Sequence, residues 1–167
     1  FTYPGQSPLG GVTFAGFHAA GKGIPYWRTT EFYVAIYILR GRGRLTDGDG
    51  RESALAAGDL LLLFPGLPHM YVPHPDEPWS EIWFTFAGPI FDLWAQRGLI
   101  EPSRPVHQLL PIDYWHHRFE WLLVMGNRLA ERWFGRLAPP GPPARVGNFD
   151  DWRGRPQVGD PALEWAV

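Results

Sequence analysis

The stretch Gly58-Asp-Leu-Leu-Leu-Leu-Phe-Pro-Gly-Leu-Pro-His-Met-Tyr71 decides how this sequence folds. Its five consecutive large apolar residues are too few to span a membrane and predict a fully buried strand. The chain then breaks at Pro65-Gly66 and restarts as a strand that carries His69 and Tyr71 on one face. A buried strand, a Pro/Gly corner and a strand with polar groups on one face predict the edge of a small all-β barrel with a pocket inside.

Length and composition favour one soluble domain, and a cytoplasmic location is expected. The chain has 167 residues and a formal net charge of −2 at pH 7, which gives no electrostatic case for nucleic acid or an anionic membrane. It contains no Cys, so disulfides and thiolate metal sites are excluded. No apolar run reaches the roughly 18 residues of a membrane span, and no signal peptide is visible. Because the sequence starts at Phe1 rather than Met, we expect its true start to lie upstream.

Strand patterns dominate residues 11–86, on both sides of the opening stretch. The strands expected there cover residues 12–18, 26–28, 32–39 and 79–86, with a hairpin turn at residues 47–50. Residues 32–39 are apolar on both faces and rich in β-branched and aromatic side chains, which predicts a buried strand. In residues 79–86, the period of two places Glu81 and Trp83 on the same face.

Helical patterns follow the strands, and this order predicts a β-barrel with a helical appendix. A short helix is expected at residues 90–97 and a long one at residues 112–137, with a strand near residues 106–110 between them. The predicted organisation is an N-terminal arm at residues 1–11, a barrel at residues 12–88, a helical appendix at residues 89–137, and a Pro/Gly-rich linker with the start of a truncated segment at residues 138–167.

The long predicted helix carries an apolar seam at three- and four-residue steps. The seam consists of Ile112, Trp115, Phe119, Leu122, Gly126, Leu129 and Trp133. It fits an amphipathic helix that lies on the barrel, and it also fits a dimer helix that pairs with its own copy. Gly126 would permit close approach of two helix backbones in such a pair. Both interpretations stay open at this point.

Several motifs, taken in order, are similar to those of a known family. They are Tyr33, Gly41-Arg42-Gly43, Gly58-Asp59, Phe64-Pro65-Gly66, His69-Met70-Tyr71 and the run from Trp79 to Gly88. The opening stretch looks like the second conserved motif of the cupin barrel. The whole set, over residues 12–137, resembles the N-terminal ligand-binding and dimerisation domain of AraC-type transcription regulators. This resemblance implies a mainly β, cupin-like jelly-roll barrel followed by α-helices, with the long helix at a dimer interface.

The comparison with cupins also shows what a metal site would lack. A metal-binding cupin has a His-x-His pair and a Glu ahead of the glycine that matches Gly41, in addition to the later His. Here that region reads Trp-Arg-Thr-Thr at residues 27–30, with Val34 where the Glu would fall, so only His69 matches. A transition metal needs about three or four protein ligands. We therefore expect neither a metal nor another cofactor.

The resemblance to AraC-type domains implies a set of ligand contacts inside the barrel. They fall at His18, Arg28, His69, Tyr71, Glu81 and Trp83. Arg28 lies near the sugar-binding Arg of that family, and Trp83 matches its stacking Trp. The N-terminal arm is expected to fold over the ligand, as in that family.

Physical arguments support these contacts and also allow structural roles for them. The ring of Trp83 offers an apolar platform for a sugar or a flat ring, and it also suits plain core packing. Glu81 and Arg28 need each other or a ligand inside a barrel, because an unpaired buried charge is costly. A structural ion pair between them would meet that need without a ligand. His69 also fits a histidine hydrogen-bonded at the barrel mouth, and His18 fits a structural role as well as a ligand contact.

These features favour a sensor, the effector-binding and dimerisation part of an AraC-type transcription regulator. A small polar metabolite, with a sugar as one candidate, would bind in the metal-free barrel and bias DNA binding. A homodimer is expected. DNA would be contacted only through a helix-turn-helix domain absent from this chain, because the sequence has no second helix pair of that type and no basic stripe.

Two alternative functions stay open on the sequence. A stand-alone cupin enzyme acting on a sugar or small acid would use Glu81 with His69 or His18 as acid and base. A binding module without an effector would fill its barrel with Trp and Phe side chains. Metal analysis would favour the enzyme, and a ligand screen by thermal shift would separate the sensor from the filled barrel.

Overall fold

The computed structural model describes residues 7–134, and the side chains of its last helix only as far as residue 124. The first part of the predicted arm, residues 1–6, lies outside the described residues. So do the end of the predicted long helix at residues 135–137 and the whole predicted linker at residues 138–167.

In the described part of the chain, eight strands come first, and the two helices follow with a short ninth strand between them, as predicted. The strands are β1 (Gly11–His18), β2 (Ile24–Arg28), β3 (Tyr33–Arg40), β4 (Arg42–Asp47), β5 (Glu52–Ala56), β6 (Asp59–Leu63), β7 (His69–Pro73), β8 (Ser80–Ala87) and β9 (Val106–Gln108), and the helices are α1 (Pro89–Gln96) and α2 (Ile112–Phe134). The turn between β4 and β5 is built on Asp47, whose Oδ1 accepts hydrogen bonds from the N–H groups of Asp49 and Arg51.

The strands form two antiparallel sheets in jelly-roll order. One sheet has five strands in the order β1-β8-β3-β6-β9, and the other has four in the order β2-β7-β4-β5. The mainly β, cupin-like prediction is confirmed, but within the described residues the sheets are not closed into a barrel. Each sheet keeps its own edge strands, so the interior is the space between two facing sheets.

The main core lies between the sheets because the strands of the five-stranded sheet alternate as their sequences require. Ile36 and Ile38 of β3, Leu61 of β6 and Trp83 of β8 all belong to this inner cluster. The neighbouring side chains along each strand point to the opposite face, since strands have a period of two. That outer face is covered by the two helices.

Helix α2 packs on the outer face of the five-stranded sheet. Phe119 contacts Tyr37 and Phe84, with ring centroids 5.0 and 5.4 Å apart respectively. Leu123 joins the same cluster, whereas Leu122 is 50% exposed. The helix faces its own sheet through a stripe that runs through Phe119 and Leu123, so Leu122 of the predicted seam does not pack on the sheet. Pairing of the seam with a second copy stays a prediction. The seam residues beyond residue 124 lie outside the described side chains.

Helix α1 covers the other end of the same outer face. Phe91 packs against Phe86 and Tyr33, and the Tyr33 hydroxyl donates a 3.0 Å hydrogen bond to Asp92. Burial, followed by the bond to Asp92, raises the pKa of Tyr33 to about 12. Neither helix in the described part of the chain is long and apolar enough to cross a membrane.

Candidate functional site

A pocket lies between the two sheets, lined by residues of six strands and of the loop after β2. Its apolar lining consists of Phe14, Ile24, Phe32, Val34, Ile36, Leu63 and Trp83. Its polar lining consists of Arg28, Thr30, His69, Tyr71 and Thr85. The cavity between these side chains has a volume of about 20 Å³, and the space that includes its open mouth amounts to about 440 Å³. The smaller figure corresponds to roughly one water, so a larger ligand has to move lining side chains.

An irregularity in β2 brings two of its residues into the pocket. Ile24 pairs with Tyr71 and Arg28 with His69, so a four-residue step on β2 faces a two-residue step on β7. Both steps are even, and all four side chains therefore reach the same face. The residues between Ile24 and Arg28 are exposed. Sequence analysis did not predict this bulge.

His69 carries a buried nitrogen that has no hydrogen-bond partner in the part of the chain that the structure describes. The side chain is 4% exposed, and its Nδ1 lies 3.0 Å from the carbonyl oxygen of Leu67, to which it donates. This tautomer leaves Nε2 as an acceptor. Within the described residues, no group donates to Nε2. Burial lowers the pKa of His69, and the nearby charge of Arg28 lowers it further, which favours the neutral ring.

Arg28 supplies positive charge to the pocket lining. It lies directly opposite His69 in the β2–β7 pair, and its side chain is half-buried. Burial lowers the pKa of Arg28, because removing water disfavours the charged form. None of the other lining residues that the structure describes is an Asp or a Glu.

The other polar lining residues already have protein partners. The Thr30 hydroxyl donates to the carbonyl oxygen of Phe32 at 2.7 Å. The Thr85 hydroxyl lies 2.7 Å from that of Thr13 and accepts a hydrogen bond from the N–H of Phe14 at 2.9 Å. Both hydroxyls therefore already bond to the backbone, of Phe32 and of Phe14 respectively.

Trp83 forms one wall of the pocket because β1 has a glycine opposite it. Gly16 pairs with Trp83 in the β1–β8 ladder. A Cβ at Gly16 would lie 2.6 Å from an indole carbon of Trp83. The indole ring therefore occupies the space that a side chain at position 16 would take. Sequence analysis placed Gly16 on a strand and missed this role, which depends on the register of β1 with β8.

Glu81 lies behind the pocket rather than in its lining. It is 1% exposed, and three side chains donate to its carboxylate. The Tyr71 hydroxyl and Nδ1 of His18 each lie 3.0 Å from Oε1, and Trp79 Nε1 lies 2.7 Å from Oε2. A buried carboxylate needs hydrogen-bond or ionic partners, and these three donors supply them. The sequence analysis had expected Arg28 or a ligand in that role. Burial, and then the charge of Glu81, raise the pKa of Tyr71 well above its usual value.

Two glycines make room for the indole ring that binds Glu81. A Cβ at Gly21 would lie 2.8 Å from Trp79 Cδ1, and one at Gly43 would lie 3.0 Å from Trp79 Cζ3. The sequence contained a signal for Trp79 itself, because the period of two placed it on the same face as Glu81. Its role as a hydrogen-bond partner was missed.

The six predicted contact residues therefore divide into two groups. Arg28, His69, Tyr71 and Trp83 line the pocket. His18 and Glu81 bind each other behind it, with Tyr71 linking the two groups. Contact of any of the six with a ligand stays a prediction. Among the described residues, no three His, Cys, Asp or Glu side chains come together as a metal site would require.

Comparison with known proteins identifies relatives of this chain. The profile of the family described as AraC-like ligand binding domain matches residues 10–131. The MmsAB operon regulatory protein of Pseudomonas aeruginosa is 28% identical over 58% of this chain and 36% of its own length. The raffinose operon transcriptional regulatory protein RafR of Pediococcus pentosaceus is 34% identical over 36% of this chain and 22% of its own length.

One solved structure and the relatives' lengths complete the comparison. A cupin protein from Bacteroides fragilis is 26% identical, with a TM-score of 0.37, and the match covers 46% of this chain and 64% of that one. The chain spans little more than a third of the length of the MmsAB regulator and less of RafR.

Proposed function

Because the chain belongs to the family of AraC-like ligand-binding domains, we propose that it is the effector-sensing and dimerisation part of a transcription regulator. Its effector is a small molecule that binds in the pocket between the two sheets. Binding there changes how a separate helix-turn-helix domain binds DNA. A regulator that acts on DNA in this way is expected in the cytoplasm. The curated relatives that match are operon regulators, and this supports a sensor over an enzyme.

The observation that carries the proposal is the buried acceptor of His69 beside Arg28. An unpaired polar atom in an interior lowers stability unless something binds it. The pocket also holds too little free space for a metabolite as it stands. An effector must therefore push side chains of both sheets apart, and such a displacement is what a sensor transmits.

The hydrogen bonds that surround Glu81 argue against the enzyme alternative. An acid–base pair has to reach the substrate, within about 2.6–3.2 Å or through one water. Glu81 is almost fully buried, does not line the pocket, and is held by three donors. It is better suited to joining the sheets than to exchanging protons with a ligand.

The effector proposed from the sequence is a small polar metabolite, with a sugar as one candidate. One relative is named for a raffinose operon, which makes oligosaccharides and their monosaccharides reasonable compounds to test. The ring of Trp83 in the pocket wall is the feature that would stack on the apolar face of a sugar.

Dimerisation is proposed through the face of α2 that points away from the sheet. Its exposed apolar residues are Tyr114, Trp121, Leu122 and Val124, each at least 42% exposed. Tyr114 and Trp121 are seven residues apart, so they share one face of the helix. A second copy would cover this surface, while Phe119 and Leu123 keep the helix on its own sheet.

The pocket is tested with the 167-residue chain and a library of small metabolites that includes raffinose, galactose and arabinose. A compound that binds only the folded state raises the midpoint of thermal unfolding. Val34→Phe fills the pocket and is expected to abolish the increase. Val72→Phe is the matched control, because Val72 follows Tyr71 on β7 and points to the opposite face. An increase that survives Val34→Phe would place the binding site elsewhere.

The dimer is tested by sedimentation equilibrium of the wild-type chain and Trp121→Asp. We expect a dimer for the wild type and a monomer for the variant, since a charge would be buried at the interface. Trp94→Asp is the control, because Trp94 is 40% exposed on the other helix, α1. Dissociation by Trp94→Asp and not by Trp121→Asp would move the interface to α1.

A further inference from the structure

The pocket is built for a narrower class of ligand than polar metabolites in general. Resting on the proposed function, we propose that its effector is a small organic acid with an apolar body and a hydroxyl group. The carboxylate binds Arg28, the hydroxyl donates to Nε2 of His69, and the apolar body lies against Trp83 and Phe14. A neutral sugar is then a poor ligand.

The balance of lining groups gives the first argument. Seven of the twelve lining side chains are apolar, and three of them are aromatic. The hydroxyls of Thr30 and Tyr71 already donate to protein acceptors. A sugar would bury several hydroxyls against this lining, and each hydroxyl without a partner costs free energy. A ligand with an apolar body and one or two polar groups avoids this cost, because each of its polar groups can find a partner in the pocket.

The charge of the pocket gives the second argument. Arg28 is the one permanently charged side chain among the lining residues that the structure describes, and no lining carboxylate accompanies it. A guanidinium carries five N–H donors, so it can bind a carboxylate through two of them in addition to a contact with a protein group. Burial already costs the charged form of Arg28, and an anion beside it offsets that cost.

The position of His69 gives the third argument. Its Nδ1–H is committed to the carbonyl oxygen of Leu67, so Nε2 can only accept. A carboxylate oxygen cannot satisfy an acceptor, but a hydroxyl can. Side chains directly opposite in an antiparallel pair have Cβ atoms roughly 5 Å apart. Arg28 and His69 are such a pair, and they can therefore bind neighbouring groups of one molecule.

The two sheets place the polar and apolar contacts on facing walls. Arg28 and His69 belong to the four-stranded sheet, whereas Phe14 and Trp83 belong to the five-stranded sheet. A ligand bound through its polar end to the first wall would point its apolar body at the second. The pocket would then distinguish the two ends of an amphipathic molecule.

The test uses two matched sets of probes with the 167-residue chain, measured by isothermal titration calorimetry. One set is mandelate, mandelamide and phenylacetate, and the other is leucic acid, its amide and isocaproate. Within a set, the amide lacks the charge and the third compound lacks the hydroxyl. We expect the hydroxy acid of at least one set to bind about tenfold or more tightly than either analogue. Galactose, arabinose and raffinose are expected to give no heat.

Variants identify which side chain binds the carboxylate of the ligand and which binds its hydroxyl. Arg28→Gln should weaken binding of the hydroxy acid about tenfold to hundredfold and leave the amide nearly unchanged. Arg28→Lys should restore part of the loss, because it keeps the charge. His69→Leu should weaken the hydroxy acid and leave the compound without a hydroxyl nearly unchanged. Arg44→Gln is the control, since Arg44 is exposed on β4.

Three outcomes would overturn the inference. The first is an amide that binds as tightly as its acid. The second is a sugar that binds the wild-type pocket and Arg28→Gln with equal affinity. The third is that neither hydroxy acid binds at a concentration of about 10 mM, which exceeds the dissociation constants usual for metabolites. The first two leave the proposed function standing, since the pocket still takes a ligand. The proposed function has its own criterion of failure. It fails if no metabolite of the library raises the unfolding midpoint of the wild type, or if Val34→Phe leaves every such increase in place.

Discussion

Two buried polar side chains, Glu81 and His69, differ in how many of their polar atoms have hydrogen-bond partners. Glu81 is 1% exposed and His69 is 4% exposed. Both oxygens of Glu81 are occupied, by donors from His18, Tyr71 and Trp79. Among the described residues, only one of the two nitrogens of His69 has a hydrogen-bond partner. The difference separates a polar group that holds the fold together from one whose free acceptor we propose to be a ligand contact.

Tyr71 connects the two environments. Its ring lines the pocket next to His69, and its hydroxyl donates to Glu81 behind the pocket. Tyr71 belongs to the four-stranded sheet and Glu81 to the five-stranded sheet, so this hydrogen bond joins the two sheets. A ligand that displaces the Tyr71 ring would therefore disturb the bond between the sheets.

The largest effect is expected when the satisfied site loses its acceptor. Glu81→Ala removes the acceptor that three buried donors share and opens a cavity. We expect the free energy of unfolding to fall by about 3–5 kcal/mol, as for other broken buried pairs. Urea unfolding followed by circular dichroism measures the change.

The control for this substitution is Glu52→Ala. Glu52 pairs with Arg44 at 3.3 Å, but both side chains are more than half exposed. Exposed pairs of this kind contribute about 0–1 kcal/mol. If Glu81→Ala lowered the free energy of unfolding no more than Glu52→Ala does, the buried carboxylate would not stabilise the fold. Glu81 would then not differ from His69 in the way described.

The next effect concerns the link between the two sites. Tyr71→Phe keeps the ring in the pocket and removes the hydroxyl from Glu81. Hydrogen bonds to charged groups contribute roughly 1.5–3 kcal/mol, so we expect a loss of that size in the free energy of unfolding. The double variant Tyr71→Phe/Glu81→Ala should cost less than the sum of the two single losses. Additive losses would argue that Tyr71 and Glu81 do not act together.

A smaller effect is expected at the pocket wall. Gly16→Ala brings a methyl group to within 2.6 Å of the Trp83 ring. The ring must move, and overpacking of this kind costs about 1–3 kcal/mol. Gly11→Ala on the same strand is the matched control, because its new Cβ would meet nothing within 4 Å. Equal stability of the two variants, by urea unfolding, would show that the Trp83 ring is not held by Gly16.

The scaffold of the pocket could be predicted because local patterns decide it. The apolar faces of β3 and the alternation of β8 identify which residues enter the core, and the structure agrees. Helix α2 was predicted as an element, and Phe119 of its predicted seam packs on the sheet. Leu122 of the same seam is exposed and does not pack on the sheet, because the sequence does not say which neighbour each helix residue faces.

The division of labour between Glu81 and His69 could not be predicted, for a physical reason. It depends on how the sheets face each other and on strand register. The bond from Tyr71 to Glu81 crosses between sheets, and the bulge that brings Arg28 opposite His69 depends on where β2 pairs with β7. Composition and periodicity place these residues inside, but they do not tell which of them will find a partner there.

The smallest effect is expected at the unsatisfied site, and it depends on pH. Burial puts the pKa of folded His69 below the ordinary 6.5, so the unfolded chain binds a proton more readily. Stability is then unaffected above about pH 6.5 and falls as the pH drops below it. His69→Leu removes this loss, and the two stability curves should diverge between pH 6.5 and 5 by at most about 1.4 kcal/mol per pH unit. Urea unfolding at several pH values measures both curves.

At neutral pH the same substitution should change stability by less than about 1 kcal/mol, because it replaces an unpaired acceptor with an apolar group. His117→Leu is the control, since His117 is exposed on α2 and should follow the wild-type curve. Parallel curves for wild type and His69→Leu would mean that His69 titrates alike in folded and unfolded chains. A large loss at neutral pH would mean that Nε2 has a structural partner after all. Either result would remove the contrast with Glu81, because His69 would then be part of the scaffold.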